Sequence, residues 1–277
     1  MTLNVRLRQA SRDDPARRSM PSVTTADAAV RASAEELDAV LMRPIRRLLG
    51  DRRIVLVPTS VLHSVPWSAL PSCRGRPLSV APSVACWMRA TPFATAKGVP
   101  HADGSVWVAG PDLRHAEREV RQLHAAFGGQ LLTGERSTVD SVLSTMDCSL
   151  LAHIAAHGRF RQDQPLFSAI ELADGSLYGY DLQRLTRAPR LLVLTACESG
   201  LTADRGGDQT FGLASVALRL GSSAVLASVL PVPDEPAIDM INALYTRLAA
   251  GDSPAAALAA AQHEHGDFGF VCLGNGF

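Results

Sequence analysis

Apolar positions in this chain fall into two alternating patterns, stripes at helical spacing and short unbroken runs. The first stripe starts near Thr25. Val30, Leu37, Val40 or Leu41, Ile45 and Leu48 recur at multiples of about 3.6 residues, which predicts a helix with one apolar face. Pro44 should kink or split it, because proline removes a hydrogen-bond donor and crowds the preceding turn. The run IVLVP (54–58) reads as a buried strand ending at its proline. Residues 59–104, with many Pro and Ser, read as a long, partly irregular connection or small hairpin. SVWVAG (105–110) is a second strand, and AEREVRQLHAAF (116–127) sets Val120, Leu123 and Phe127 on one helical face. GGQLLTG (128–134) is a short strand, after which Ser137 is placed to cap the helix TVDSVLSTM.

The alternation is stronger in the second half. SLLAHIAAHG (149–158) is a strand ending at His-Gly, and AIELADGSL (169–177) holds Asp174-Gly175, a hairpin signal. RLLVLTAC (190–197) is a buried strand ending at Cys197. FGLASVALRL (211–220) is apolar nearly all round and should be a buried helix, followed by the buried strand SAVLASVLPV (223–232). AIDMINALYTRLAAG (237–251) is amphipathic through Ile238, Ile241, Leu244 and Leu248. SPAAALAAAQ (253–262) opens with a capping Ser and a Pro at the first helical position, and FGFVCLG (268–274) is a final short strand. Strands alternating with helices predict an α/β fold with a mainly parallel sheet, whose active site belongs at the carboxyl ends of strands.

Composition narrows the partners. Net charge is zero, apolar residues make up 47% and charged residues 19%, so nothing at whole-chain level points to nucleic acid or a membrane surface. Residues 1–53 carry eleven Arg and seven acids, a mild bias that reads as a solvated helix surface; residues 1–23 are expected to be poorly ordered. No apolar run is long enough for a membrane span, and no signal peptide is apparent at the N-terminus. The five cysteines, Cys73, Cys86, Cys148, Cys197 and Cys272, show no CxxC pairing, so neither a zinc site nor a disulfide framework is expected, and no metal or other cofactor. A reducing cytoplasm fits and would keep a reactive thiol free.

Two reactive side chains stand at predicted strand ends, His157 after LLAHIAA and Cys197 after LLVLTA. A thiolate is a nucleophile that a neighbouring imidazole helps to form and use. If the two strands are neighbours, both side chains leave the same edge of the sheet. Gly158 lets its backbone N–H approach a substrate oxygen without a side chain in the way, and with the Cys197 N–H it would form an oxyanion hole. The residues alone leave the plainer reading open: a strand cysteine is commonly inert core, and a strand-end histidine commonly a hydrogen-bonded structural residue. His153, four residues before His157, reads as a core or supporting histidine, and His263 and His265 suit the end of a helix. Ser199 lacks the flanking glycine of a nucleophile elbow, and GERSTVDS lacks the Gly-Lys-Ser/Thr ending of a phosphate loop, which counts against other hydrolases and nucleotide binders.

The segments HIAAHGRF, LFSAIELADGSLYGYDLQRL, RLLVLTACESG and GLASVALRLGSSAVLASVLPVPD together resemble the CHAT domain, a bacterial relative of caspases and separase. IVLVPTSVLHSVPWSAL, PDLRHAEREVRQL and LLTGERSTVDSVL extend the resemblance over roughly residues 30–276. It implies a caspase-like three-layer sandwich over 24–277: an N-terminal helix at 24–50, a first half at 54–148 and a catalytic half at 149–277. It also implies a cysteine endopeptidase cutting a protein partner, with His157 and Cys197 as the dyad and a regulatory domain or subunit as a further partner. The alternative is a silent interaction module of the same fold. Related proteases use an acidic pocket for a basic residue before the cut, which makes Asp234 and Asp208 candidate substrate-binding residues; each is also placed to cap the helix that follows. The chain departs from the family pattern at Leu230, where many members have Trp, and at Gly207-Asp208-Gln209, where many have Gly-Glu-Gly; both bear on specificity more than on catalysis. Members are often fused to helical repeats, and no 34-residue repeat is visible in residues 1–50.

Overall fold

The structure, a computed structural model, describes residues 21–59, 62, 65–93, 103–113, 115–159, 164–195, 210–228 and 234–277. Among them run the strands β1 (Ile54–Leu56), β2 (Leu78–Val80), β3 (Ser105–Ala109), β4 (Gln130–Leu132), β5 (Leu151–Ala155), β6 (Gly158–Arg159), β7 (Ala169–Leu172), β8 (Gly175–Tyr178), β9 (Leu191–Leu194), β10 (Ala224–Ser228) and β11 (Phe270–Gly274). The helices are α1 (Pro21–Leu41), α2 (Arg46–Leu49), α3 (Val84–Arg89), α4 (Ala116–Phe127), α5 (Val139–Met146), α6 (Thr210–Arg219), α7 (Asp234–Ala250) and α8 (Pro254–His265). Eight strands make one sheet in the order β1-β2-β11-β10-β9-β5-β3-β4, and β6, β7 and β8 form a small antiparallel sheet beside it. From β10 to β4 every pairing is parallel. β11 runs antiparallel to β10, and β2 and β1 follow its direction.

The central strands are buried on both faces, as continuous apolar runs predict for a parallel sheet. Side chains alternate between two cores with the period of two that a strand imposes. Val106, Val108, Ala152, Ile154, Leu192, Leu194 and Val225 pack on one side with Val142 of α5 and Ala214 of α6. Trp107, Leu151, Leu191, Val193 and Leu226 pack on the other with Val120 of α4, Ile241 and Tyr245 of α7 and Leu258 of α8. The result is the caspase-like three-layer sandwich with helices on both faces that the resemblance implies.

Local departures from the sequence reading have simple causes. Pro44 does split the first helix: α1 ends at Leu41, a 3-10 turn spans Arg43–Ile45, and α2 resumes at Arg46. Within 59–104 the described residues include β2, which pairs in parallel with β1, and the short helix α3. The cap of α5 is Thr138, whose Oγ1 accepts from the Ser141 N–H at 3.3 Å, and not Ser137, which donates instead to the Gly134 carbonyl at 2.8 Å. Ser253 precedes α8 with no side-chain capping bond, and Pro254 alone sets the first turn. The Asp174-Gly175 turn does join β7 to β8, with Gly175 at φ 143°.

Leu226, fully buried at the middle of β10, tests the sheet as a packed core. Leu226→Ala should lower the unfolding free energy by about 2–5 kcal/mol in a urea titration. Exposed Leu48→Ala should change it by less than about 0.5 kcal/mol.

Candidate active site

β5 and β9 lie side by side in parallel, with Leu151 opposite Leu191 and Ile154 opposite Leu194. Their carboxyl ends therefore leave the sheet at one edge, and His157 and Cys197 each stand three positions beyond that last rung. Cys197 itself lies outside the described residues, as does Asp208. Asp234 opens α7, and its side chain is not described. His157 and Gly158 are described in full.

The histidine is set by a close approach of the chain. Gly110, after β3, donates to the Ala155 carbonyl at 2.8 Å and passes so near that an added Cβ would stand 2.5 Å from the Ala156 Cβ and from the Glu171 carbonyl oxygen. The turn continues through Asp112, whose φ of 58° is the left-handed conformation that aspartate tolerates better than most residues. This brings the Asp112 carbonyl to 3.2 Å from His157 Nε2. A carbonyl only accepts, so Nε2 carries the proton and donates it. Nδ1 of the same ring is buried and has no hydrogen-bond partner among the described residues. Next along the chain, the Glu171 N–H donates to the His157 carbonyl at 2.8 Å, and Gly158 stands opposite Ile170. In an antiparallel ladder that makes Gly158 and Ile170 the non-hydrogen-bonded pair, so the Gly158 N–H points away from β7.

Below this edge lies a buried polar network. Alternation along β5 turns His153 toward α4 and α7, where its Nδ1 is 2.8 Å from the Tyr245 hydroxyl and its Nε2 2.8 Å from Glu119 Oε1. The Thr195 hydroxyl, next after β9, donates to Glu119 Oε1 at 3.1 Å and lies 3.3 Å from His153 Nε2. Trp107 packs edge-on against the Tyr245 ring at 5.1 Å. Burial, and then the nearby charge of Glu119, push the Tyr245 hydroxyl pKa well up, so it stays protonated. These four side chains tie the last rung of β5 and β9 to the two helices covering that face.

Sequence reasoning placed His153 in the core but missed Asp112, Glu119, Thr195 and Tyr245. Only Glu119 carried a signal: it falls with Ala116, Val120 and Leu123 on the buried stripe of α4, where an unpartnered acid would be costly. Burial pushes the pKa values of Cys73 and Cys272 up to about 12, so both are protonated near neutral pH. No group of three or more potential metal ligands occurs among the described residues, and no described helix is long and apolar enough to cross a membrane.

A mainly parallel sheet between helical layers, with a histidine at the mouth of one central strand and a cysteine sequence after its neighbour, is the frame of a caspase-like domain. The profile of the CHAT domain family matches residues 31–266, and the chain belongs to that family. Two crystal structures of the separase–securin complex of Saccharomyces cerevisiae share the fold. One has a TM-score of 0.58 and the other 0.59, each at 16% identity over 80% of this chain. The matched region is only 15% and 16% of those chains, so the likeness concerns the domain and its fold. No curated protein matches the chain.

The network predicts unequal roles for two neighbouring acids of α4. Glu119→Leu strands the His153 and Thr195 polar atoms and should lower stability by about 1–3 kcal/mol. Glu117→Leu removes only an exposed pair with Arg121 and should change it by less than about 1 kcal/mol, both read from chemical denaturation.

Proposed function

We propose that this domain is a cysteine endopeptidase with Cys197 as nucleophile and His157 as its proton partner. The observation that carries the reading is the state of the His157 ring. Its Nε2–H is fixed by the Asp112 carbonyl, and its Nδ1 is left without a described partner. A general base needs this division of labour, one nitrogen spent on orientation and the other kept for the reacting proton.

In this mechanism the Cys197 proton passes to His157 Nδ1 as the sulfur attacks the scissile carbonyl carbon. The Gly158 and Cys197 N–H groups stabilise the resulting oxyanion. Collapse breaks the C–N bond, and the leaving amine takes the proton from His157. Water then attacks the thioester, giving its proton to the same nitrogen, and release of the carboxylic acid returns the proton to sulfur. Asp234 and Asp208 serve as the acidic groups that favour a basic residue before the cut. The substrate is a protein, and a regulatory domain or subunit controls access; a reducing compartment such as the cytoplasm keeps the thiol free. The similar separase fold is itself seen in complex with a protein partner, securin.

Peptides prepared from a whole proteome, incubated with the protein and then sequenced for new termini, test the proposal with no substrate chosen in advance. Wild type should generate new termini enriched in Arg or Lys before the cut. Cys197→Ala should generate none, and His157→Ala should cut about 10²–10⁴-fold more slowly. Asp234→Ala should weaken the basic preference. No cleavage by wild type, or equal cleavage by Cys197→Ala, would leave the silent interaction module as the better reading.

A further inference from the structure

The hairpin of β7 and β8 turns its two faces to different surroundings, by the alternation a strand imposes. Ile170 and Leu177 stand opposite each other and are fully buried. The next rung sets Tyr178 opposite Ala169 on the other face, and Ala169 in turn stands opposite Arg159 of β6. Tyr178 is thus two strands, about 10 Å, from the strand that begins directly after His157. On the same face Arg159 reaches Glu171 Oε1 at 2.6 Å and the Ser176 hydroxyl at 2.9 Å.

The chain on either side of the hairpin closes up beside Tyr178. The Gly179 N–H donates to the Ser168 carbonyl at 2.8 Å, and the Tyr180 N–H donates to the Leu166 carbonyl at 3.0 Å. These bonds gather three aromatic rings. Tyr178 and Tyr180 stack at 5.1 Å with 8° between their planes, and Phe167 stands edge-on to Tyr180 at 5.9 Å. The group is open to solvent, Phe167 being 49% exposed and Tyr180 43%. Asp181 lies at the same corner. Its Oδ2 accepts from the Tyr178 N–H at 2.9 Å. Desolvation, then the charge of Asp181, then Tyr178 push the Tyr180 hydroxyl pKa up, which places that carboxylate close to the ring. The described basic side chains of β6 and of the 3-10 turn Asp181–Arg184 are already paired, Arg159 with Glu171 and Arg184 with Asp140 at 2.7 Å. Asp181 makes no ion pair among the described residues.

The faces of aromatic rings carry negative potential, so this corner offers a π surface and a carboxylate with no matching cation. We propose that it is a docking surface for an arginine of a protein partner, whose guanidinium lies on the aromatic group and pairs with Asp181. Arginine fits it better than lysine, because the planar and weakly hydrated guanidinium stacks on rings. A segment held there lies on the small sheet that starts beside His157. Its binding requires none of the chemistry proposed for that histidine.

The chain has three tyrosines, two at this corner and the fully buried Tyr245, which suits a fluorine probe. With 3-fluorotyrosine incorporated, fluorine NMR of the full chain resolves one signal for each. Acetyl-arginine methylamide should shift the Tyr178 and Tyr180 signals saturably, in the millimolar range of a single side chain, and leave that of Tyr245 in place. Its uncharged isostere, acetyl-citrulline methylamide, should bind about fivefold more weakly. Tyr180→Leu, which keeps apolar bulk at an exposed position, should weaken the arginine probe about fivefold, read on Tyr178. Asp181→Asn, which keeps an acceptor for the Tyr178 N–H, should lower its affinity to that of the citrulline probe. An unmoved Tyr245 signal shows that each variant is folded, and should Tyr180→Leu disturb it, Asp181→Asn decides. No shift at Tyr178 and Tyr180, equal midpoints for the two probes, or undiminished binding in Asp181→Asn would overturn the proposal.

Discussion

The rungs that join β5 to β9, from Leu151 opposite Leu191 to Ile154 opposite Leu194, fix which residues meet at the edge of this sheet. Both strands run the same way and are buried on both faces. A slip of one residue in either would turn Leu, Ile and Val into the wrong core and bring His153 out of its polar pocket. The register is thus held by the same apolar side chains that hold the fold, and His157, two residues past the end of β5, inherits it at no separate structural cost. The parallel arrangement matters equally. Had β5 and β9 been antiparallel, the carboxyl end of one would stand at the amino end of the other, with His157 and the segment carrying Cys197 on opposite edges.

Two further constraints act on that edge. From above, Gly110 allows the chain after β3 to lie against Ala156, so the Asp112 carbonyl reaches the imidazole. From below, Glu119, His153, Thr195 and Tyr245 link α4 and α7 to the strands just where they end. A satisfied polar network in a low-dielectric core is directional in a way that apolar packing is not, because each distance and angle must be met or the group is orphaned. The histidine is thereby oriented by backbone and the strand mouth by side chains, the kind of fixed geometry that the proposed catalytic role would need.

The sheet was legible in the sequence wherever a strand was buried on both faces, because LAHIA, LLVL and AVLAS have no polar face to confuse with a helix. β2 was not: three residues long, between Pro77 and Pro82, it owes its existence to the neighbours β1 and β11 rather than to its own pattern. The Ser137 and Thr138 exchange shows the ordinary ambiguity of a helix start when two adjacent residues are both good caps. His157 and Gly158 stood out because they end an apolar run, whereas Asp112 contributes a carbonyl, which every residue has and no sequence displays. Tyr245 and Thr195 join Glu119 and His153 across long stretches of chain, contacts that only the folded sheet brings together.

The proposed chemistry rests on His157 acting on Cys197. The pH dependence of Cys197 alkylation by iodoacetamide, read by mass spectrometry, tests it most directly because it needs no substrate. In wild type the reaction should persist well below the range of an ordinary thiol, about 8.5, and His157→Gln should return it to that range. Identical profiles in the two proteins, both those of an unassisted thiol, would contradict it.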